Sequence, residues 1–163
     1  MNAIRRPTAH GFFCPTKYFL VAGEGDSSES LVAFDCALLN SGVGDLNLIK
    51  LSSIVGPGCV RTEPLTLTPG SLVAVAFASM TDDKPGRTIA SGVAVAHPTD
   101  STRAALVMEH SDFASKKEVE DKVIRMAIEG IRNRGLEVAH VESIAIEHIV
   151  RVVGATFAAV VEV

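Results

Sequence analysis

Residues 47–58 read NLIKLSSIVGPG, so that a pair of serines stands where an apolar strand gives way to a turn rich in glycine and proline. A hydroxyl held beside a peptide carbonyl in a tight backbone can attack that carbonyl. If Ser53 attacks the carbonyl of Ser52, the chain is cut between the two residues. Ser53 is then converted into a prosthetic group at the new N-terminus of the second fragment. Serine is also common in turns, so the pair is equally compatible with an inert strand end.

The composition sets limits on fold and function. A chain of 163 residues suits one domain with one core. Hydrophobic residues make up 47% of it, yet there is no Trp and aromatic residues reach only 5%, which favours a core of small and branched aliphatic side chains packed in sheets. The formal net charge of −4 argues against nucleic acid as the main partner.

The cysteines and the apolar segments indicate a location. Cys14, Cys36 and Cys59 are odd in number and lack CxxC spacing, which indicates neither a disulfide framework nor a zinc site and favours a reducing cytoplasm. No apolar run approaches the roughly 18 residues of a membrane span, and no signal-like segment follows Arg5 and Arg6. We therefore expect a soluble, cytoplasmic protein without a membrane partner.

The hydrophobic periodicity predicts an α+β fold. Strands are expected at 17–22, 45–51, 71–80, 88–96, 104–109, 141–149 and 156–163, helices at 29–40 and 116–134, and irregular structure at 1–15. Ser27 or Ser28 is expected to cap the first helix and Gly42 to end it, while Ser115 opens a capping box in the second and Gly135 ends it. Turn 82–86 predicts a hairpin, and the last two strands are expected to pair antiparallel. This order of elements predicts sheets covered by helices on their outer faces.

Asp35 departs from the pattern of its helix. It lies one turn from Leu31, Leu38 and Leu39, so that its carboxylate points along or beside an apolar stripe. An unpaired carboxylate is costly in such a place. Two interpretations remain open: a local hydrogen bond at a wet edge, or a receptor for a cationic group.

Glu109 and Asn47 also depart from the pattern of their strands. Glu109 ends the apolar strand 104–109, where burial disfavours the charged form and suits a general acid near neutral pH, although a strand-end carboxylate can also simply reach water. Asn47 is of a type depleted in strands; its amide is either a donor to a carbonyl at the strand end or an edge residue facing solvent. The five histidines show no metal-ligand spacing and are expected to be structural or surface residues (His10, His97, His110, His140 and His148).

Taken together, these motifs make the chain similar to the pyruvoyl-dependent arginine decarboxylases over nearly its whole length. The segment 47–54 is specific to that resemblance, and supporting stretches lie at 19–23, 33–40, 108–109, 115–118 and 142–148. The turn VGPG after Ile54 and an end at Val163 without an aromatic tail depart from the family pattern.

The resemblance implies a four-layer αββα sandwich, assembled as trimers or pairs of trimers with active sites at subunit interfaces. It implies cleavage between Ser52 and Ser53 into a small β fragment, 1–52, and a large α fragment, 53–163, of a single domain. In this scheme Ser53 Oγ attacks the Ser52 carbonyl, Asn47 donates to the oxyanion, and elimination leaves a pyruvoyl group at position 53.

The resemblance also implies the reaction and its residues. The pyruvoyl ketone forms a Schiff base with L-arginine and acts as electron sink, so that neither pyridoxal phosphate nor a metal is expected. After CO2 leaves, Glu109 returns a proton to the α-carbon and agmatine is released. Asp35 accepts the guanidinium. The resemblance further assigns Leu38 and Ile54 to the aliphatic part of the substrate and Gly44 to close approach of the backbone. It also assigns a part in the reaction to the carboxylate that cleavage frees at Ser52.

Other functions remain compatible with the same residues. The pyruvoyl group could serve another amino acid. Ser53 could instead remain a serine in an autoproteolytic N-terminal nucleophile hydrolase, or the Ser pair could be inert in a trimeric binding domain. Polyamine synthesis and arginine-dependent acid resistance both fit the arginine reaction.

Overall fold

The computed structural model describes Gly11 and residues 13–163. The Arg5-Arg6 pair, His10 and most of the predicted irregular start lie outside the described residues. In the described part of the chain there are two helices and nine strands, and the predicted α+β class is confirmed. Their bounds are β1 Lys17–Ser27, α1 Ser30–Ser41, β2 Asn47–Lys50, β3 Ile54–Val55, β4 Val60–Arg61, β5 Leu72–Asp82, β6 Thr88–Pro98, β7 Ala105–Asp112, α2 Lys116–Asn133, β8 Val138–Ile149 and β9 Val153–Glu162. No helix among these residues is both long and apolar enough to cross a membrane.

The strands form two sheets, with orders β2-β5-β9-β1-β4 and β3-β7-β6-β8. Strands β5 and β6 follow one another along the chain but belong to different sheets, so the hairpin predicted at turn 82–86 is wrong. The predicted pairing of the last two strands is also wrong, because β8 pairs with β6 while β9 pairs with β1 and β5. A turn signal shows where the chain reverses but not which sheet the next strand joins.

Strand β9 shows how the core is organised. Its side chains alternate between two apolar clusters: Phe157 and Val161 pack toward α1, whereas Ala158 and Val160 pack with residues of the four-stranded sheet. A strand buried on both faces needs an almost continuous apolar sequence, which is what residues 153–162 provide. A third cluster lies between α2 and the four-stranded sheet.

Helix α1 packs on the five-stranded sheet through its smallest residues. Ala33, Ala37 and Ser41 are buried, while Leu31 and Leu39 of the predicted apolar stripe are 78% and 54% exposed. The reason is a close approach: a Cβ at Gly23 of β1 would lie 2.3 Å from the carbonyl oxygen of Ala37.

The start of α1 differs from its prediction, whereas its end agrees. Strand β1 continues to Ser27, five residues beyond the predicted end at residue 22, and Glu29 occupies the N-cap position without a side-chain cap. Capping by Ser27 or Ser28 was therefore wrong. Gly42 ends the helix with φ 85°, as predicted.

Helix α2 was predicted almost completely. Ser115 and Glu118 form a reciprocal capping box, which stabilises the first turn by about 1 kcal/mol. Val119, Val123 and Ile131 are buried against the four-stranded sheet, and Gly135 follows the helix with φ 71°. This helix covers the sheet that carries Glu109.

Candidate active site

The peptide between Ser52 and Ser53 lies where the chain crosses from one sheet to the other. On its N-terminal side, the Leu51 N–H donates to the Val75 carbonyl of the five-stranded sheet at 2.9 Å. On its C-terminal side, the Ser53 carbonyl accepts from the Val107 N–H at 3.0 Å, and β3 then pairs with β7 in the four-stranded sheet. The residues before the peptide are thus held by the five-stranded sheet, and the residues after it are held by the four-stranded sheet.

Ser53 has a strained backbone. Its φ is 71°, and it is the one non-glycine residue with positive φ in the described part of the chain. This left-handed conformation costs a β-carbon-bearing residue about 1–2 kcal/mol, because Cβ approaches the following carbonyl oxygen. The anchored flanks keep the residue in this conformation.

Glu109 faces Ser53 from strand β7. The Ser53 Oγ–H donates to Glu109 Oε2 at 2.6 Å, a short distance typical of a hydroxyl bonded to a carboxylate. Antiparallel pairing of Ile54 with Leu106 creates this contact between residues far apart in sequence. The carboxylate is half-buried and can therefore accept the hydroxyl proton while remaining reachable from the cavity beside it.

Lys50 was missed by the sequence analysis. It ends β2, and its Nζ lies 3.8 Å from Glu109 Oε1. The ammonium also donates to the Phe77 carbonyl at 3.1 Å and lies 4.4 Å from the centre of the Phe77 ring. A lysine within the otherwise apolar run LIKL, residues 48–51, was the available signal.

A cavity of about 420 Å³ opens in front of the junction, lined by both serines and by Glu109. Arg134, which caps the C-terminus of α2, also lines it and was likewise missed. A cation is favoured at that helix end because the last carbonyls are partly negative. The cavity thus combines a hydroxyl, a carboxylate and a guanidinium.

The amide of Asn47 is engaged at the start of the edge strand β2. Its Nδ2 donates to the Gly70 carbonyl at 2.9 Å. Among the described residues it makes no hydrogen bond to the Ser52 carbonyl, so its role as the oxyanion donor stays a prediction.

Asp35 lies apart from Ser53 and Glu109. It is exposed on α1, which packs on the five-stranded sheet, and lines a cavity with Leu31, Phe34 and Leu38. Glu109 belongs to the four-stranded sheet. One subunit therefore does not bring the two carboxylates into one cavity.

The remaining predicted site residues lie in other surroundings. Leu38 lines the same cavity as Asp35 and packs, half-buried, against the apolar cluster between α1 and the five-stranded sheet. Gly44 allows close packing of Leu39, whose side chain a Cβ would approach to 2.7 Å. Ile54 lines an apolar cavity of about 680 Å³ together with Leu51 and Glu162.

Glu162 is a buried acid that sequence reasoning treated as part of the apolar last strand. It is 2% exposed, and its Oε1 has no hydrogen-bond partner. Burial raises its pKa to about 7. Its position on β9, beside Ala74 of β5, places it at the wall of the cavity that Ile54 shares.

Ser53 and its surroundings fit a pyruvoyl group that is formed from the chain itself. The serine is strained, its hydroxyl is bonded to a carboxylate, and an open cavity lies beside it. The carbonyl of residue 53 is held by Val107, so a group at that position would keep its orientation after the preceding peptide was broken.

The chain is similar to known proteins along most of its length. The profile of a family described as "Pyruvoyl-dependent arginine decarboxylase (PvlArgDC)" matches residues 17–162. A curated protein of that name from Methanococcus maripaludis strain C7 is 43% identical over 97% of this chain and 94% of the relative. Its counterpart from Methanocaldococcus jannaschii is 42% identical over 98% and 96%. A more distant one from Thermococcus kodakarensis is 35% identical over 76% and 78%.

Proposed function

Because the chain belongs to the pyruvoyl-dependent arginine decarboxylase family, we propose that it cleaves itself between Ser52 and Ser53 and converts L-arginine to agmatine and CO2. The observation that carries this proposal is the 2.6 Å hydrogen bond from Ser53 Oγ to Glu109 Oε2 at a backbone with positive φ. It joins a nucleophile, a proton acceptor and a strained peptide in one place.

In self-cleavage, Glu109 takes the hydroxyl proton of Ser53 as Oγ attacks the Ser52 carbonyl. Relief of the positive φ favours the step, since the acyl group moves from nitrogen to oxygen and the freed amine takes the proton from Glu109. The resulting ester then eliminates the carboxylate of residue 52 and leaves dehydroalanine at position 53, which takes up water and loses ammonia to give the ketone. Fragments 1–52 and 53–163 remain one domain because β1 of the first is paired along its length with β9 of the second.

In decarboxylation, the pyruvoyl group derived from Ser53 supplies a carbonyl that withdraws electrons from the substrate α-carbon. Glu109, freed of the serine hydroxyl, holds the proton that this carbon receives. Arg134 and Lys50 make this end of the site positive, so the α-carboxylate of arginine is attracted there and its guanidinium is repelled.

The guanidinium then needs a carboxylate farther from the junction. We assign this to Asp35 of a neighbouring copy, with Leu38 beside the aliphatic chain. Support comes from the separate position of Asp35 on α1 and from the exposed apolar side chains around it, Leu31 and Val32. Asn47 would act as the oxyanion donor once its amide leaves the Gly70 carbonyl.

We further propose the finer architecture of the family. Helix α1, the five-stranded sheet, the four-stranded sheet and α2 form a four-layer αββα sandwich, assembled as trimers or pairs of trimers. The apolar clusters on both sides of the five-stranded sheet, and the third beneath α2, support the layering. The free cysteines suit a reducing cytoplasm.

Intact-mass measurement of the purified protein tests the proposal. We expect fragments 1–52 and 53–163, the larger lacking the mass of the ammonia lost from Ser53 and refusing Edman sequencing. Ser53→Ala should stay whole and inactive. A large fragment that begins with an unmodified serine would indicate a hydrolase instead, and an active chain that is continuous through residue 53 would refute the proposal.

Arginine specificity has its own test. Borohydride reduction in the presence of labelled arginine should attach the label to the large fragment of the wild type, but not to Ser53→Ala. Asp35→Ala should remove activity on arginine selectively. An equal loss with every amino acid would assign Asp35 to folding and leave the substrate open.

A further inference from the structure

A second cluster of chemically active side chains lies on the four-stranded sheet. His97 of β6 faces His140 of β8 in the strand register, and Glu142 lies two residues beyond His140 on the same face. One ligand atom from each of the three residues lies within 4.8 Å of the others. Glu142 Oε1 is 3.6 Å from His97 Nε2 and 3.7 Å from His140 Nε2.

We propose that His97, His140 and Glu142 bind a divalent transition-metal ion of the zinc class. Tetrahedral zinc with nitrogen and oxygen ligands at about 2.0–2.2 Å separates its ligand atoms by roughly 3.4 Å. The two separations that involve Glu142, 3.6 Å and 3.7 Å, exceed this by a few tenths of an ångström, and the ligand atoms of the two histidines lie within 4.8 Å of each other. Two imidazoles and one carboxylate favour zinc-like ions over magnesium or calcium, which prefer oxygen ligands alone.

Two adjustments are required, one at the ring of His140 and one at the contact of His97 Nε2 with the Tyr18 hydroxyl. The ring of His140 stacks on that of His97 with centroids 4.3 Å apart and an interplanar angle of 4°, whereas a shared metal needs both ring planes to point at it. The side chain of His140 is 59% exposed, so its ring can turn without disturbing the core. His97, held between the sheets, supplies the fixed ligand.

Neighbouring groups already orient the carboxylate. The buried Tyr18 hydroxyl donates to Glu142 Oε1 at 2.8 Å and lies 2.9 Å from His97 Nε2. Arg61 Nε donates to Oε2 at 2.9 Å, which turns Oε1 toward the histidines. The Arg61 bond is of the outer kind that positions ligands in protein metal sites. The Tyr18 hydroxyl instead contacts two ligand atoms directly, so a bound ion would replace its contact with His97 Nε2 and leave its bond to Glu142 Oε1. The positive charge of Arg61 opposes the ion, so its bond is expected to reduce affinity while it sets geometry.

A cavity connects the two histidines of the proposed metal site with the solvent. It has a volume of about 180 Å³ and is also lined by Gly58 and Cys59, in the segment that follows the processing junction. Tyr18 and Arg61 belong to the five-stranded sheet and the three ligands to the four-stranded sheet. The bonds from Tyr18 and Arg61 to Glu142 link the two sheets, and a bound ion would cross-link β6 to β8 beside that link and next to this segment.

Calorimetric titration with ZnCl2 tests the site on EDTA-treated, tag-free processed protein. We expect one ion per chain, with affinity reduced at least tenfold in His97→Ala and in His140→Ala. His110→Ala is the matched control, since His110 also stands beside a carboxylate, Asp112, at 3.3 Å but outside the cluster. It should bind like the wild type.

Two further measurements keep the outcome clear. Co2+ should give the visible absorption of a four- or five-coordinate ion in the wild type and not in His140→Ala, whose exposed side chain can be truncated without loss of folding. Zinc should raise the melting temperature of the wild type but not of that variant. Absence of saturable binding, or equal binding by every variant, overturns the proposal.

Discussion

Replacing Glu162 tests how a buried acid affects stability. Burial raises the pKa of this carboxyl from 4.5 to about 7, and its Oε1 has no hydrogen-bond partner. In the unfolded chain the proton leaves near pH 4.5, whereas the folded chain keeps it until about pH 7. Between these values the folded state binds more protons, so its free energy of unfolding falls as pH rises.

The magnitude follows from the same displacement. Each pKa unit corresponds to 1.36 kcal/mol, so the full loss above pH 7 is roughly 3 kcal/mol relative to acid conditions. Glu162→Gln keeps the shape and the polar group but does not ionise. We expect the variant to gain about 3 kcal/mol over the wild type between pH 4.5 and pH 8.5, with little difference at the acid end.

Urea unfolding of the processed protein at fixed concentration, repeated across that pH range, measures the difference. Glu137→Gln is the control, because Glu137 is exposed and the same substitution there should leave the pH dependence of the wild type intact. Parallel curves for wild type and Glu162→Gln would refute the reasoning, since they would mean that Glu162 ionises alike in the folded and unfolded chain.

Gly23→Ala should destabilise the fold by about 3 kcal/mol in urea unfolding, because its Cβ would lie 2.3 Å from a backbone oxygen of α1, whereas Gly56→Ala, with open space around it, should not; equal effects would contradict the close approach. Ser115→Ala should cost about 1 kcal/mol by the same measurement, and a neutral result would mean that the capping box does not stabilise α2. Mass spectrometry can follow the rate of self-cleavage in variants of the ion pair between Lys50 and Glu109. Lys50→Met should slow cleavage by less than about fivefold, because the ion pair is half-exposed, whereas Glu109→Gln should slow it by at least about a hundredfold. The reverse order would assign the main role to Lys50.

Much of the local structure could be predicted from the sequence. The α+β class, the capping box at Ser115, the stop at Gly42 and the apolar strand before the Ser pair were all predicted. These features depend on residues within a few positions of one another. The buried face of α1 was not predicted, because the glycines of β1 decide which helix residues can approach the sheet.

Strand pairing was the main failure at the level of the fold. The hairpin at 82–86 and the final antiparallel pair assumed that neighbours in sequence are neighbours in a sheet. Strands β6 and β8 instead join one sheet, and β5 and β9 the other. The reason is that β9 is apolar on both faces and is stabilised at the centre of the larger sheet, between β1 and β5.

The amino-acid order alone accounts for which segments become helices and strands and for the serine pair at a strand end, because periodicity, capping and turn preferences act over short spans of chain. The meeting of Ser53 with Glu109, the separate position of Asp35 and the cluster of His97 with His140 arise only when distant strands pair. That pairing depends on which apolar faces the whole chain can bury together, so no local stretch contains it.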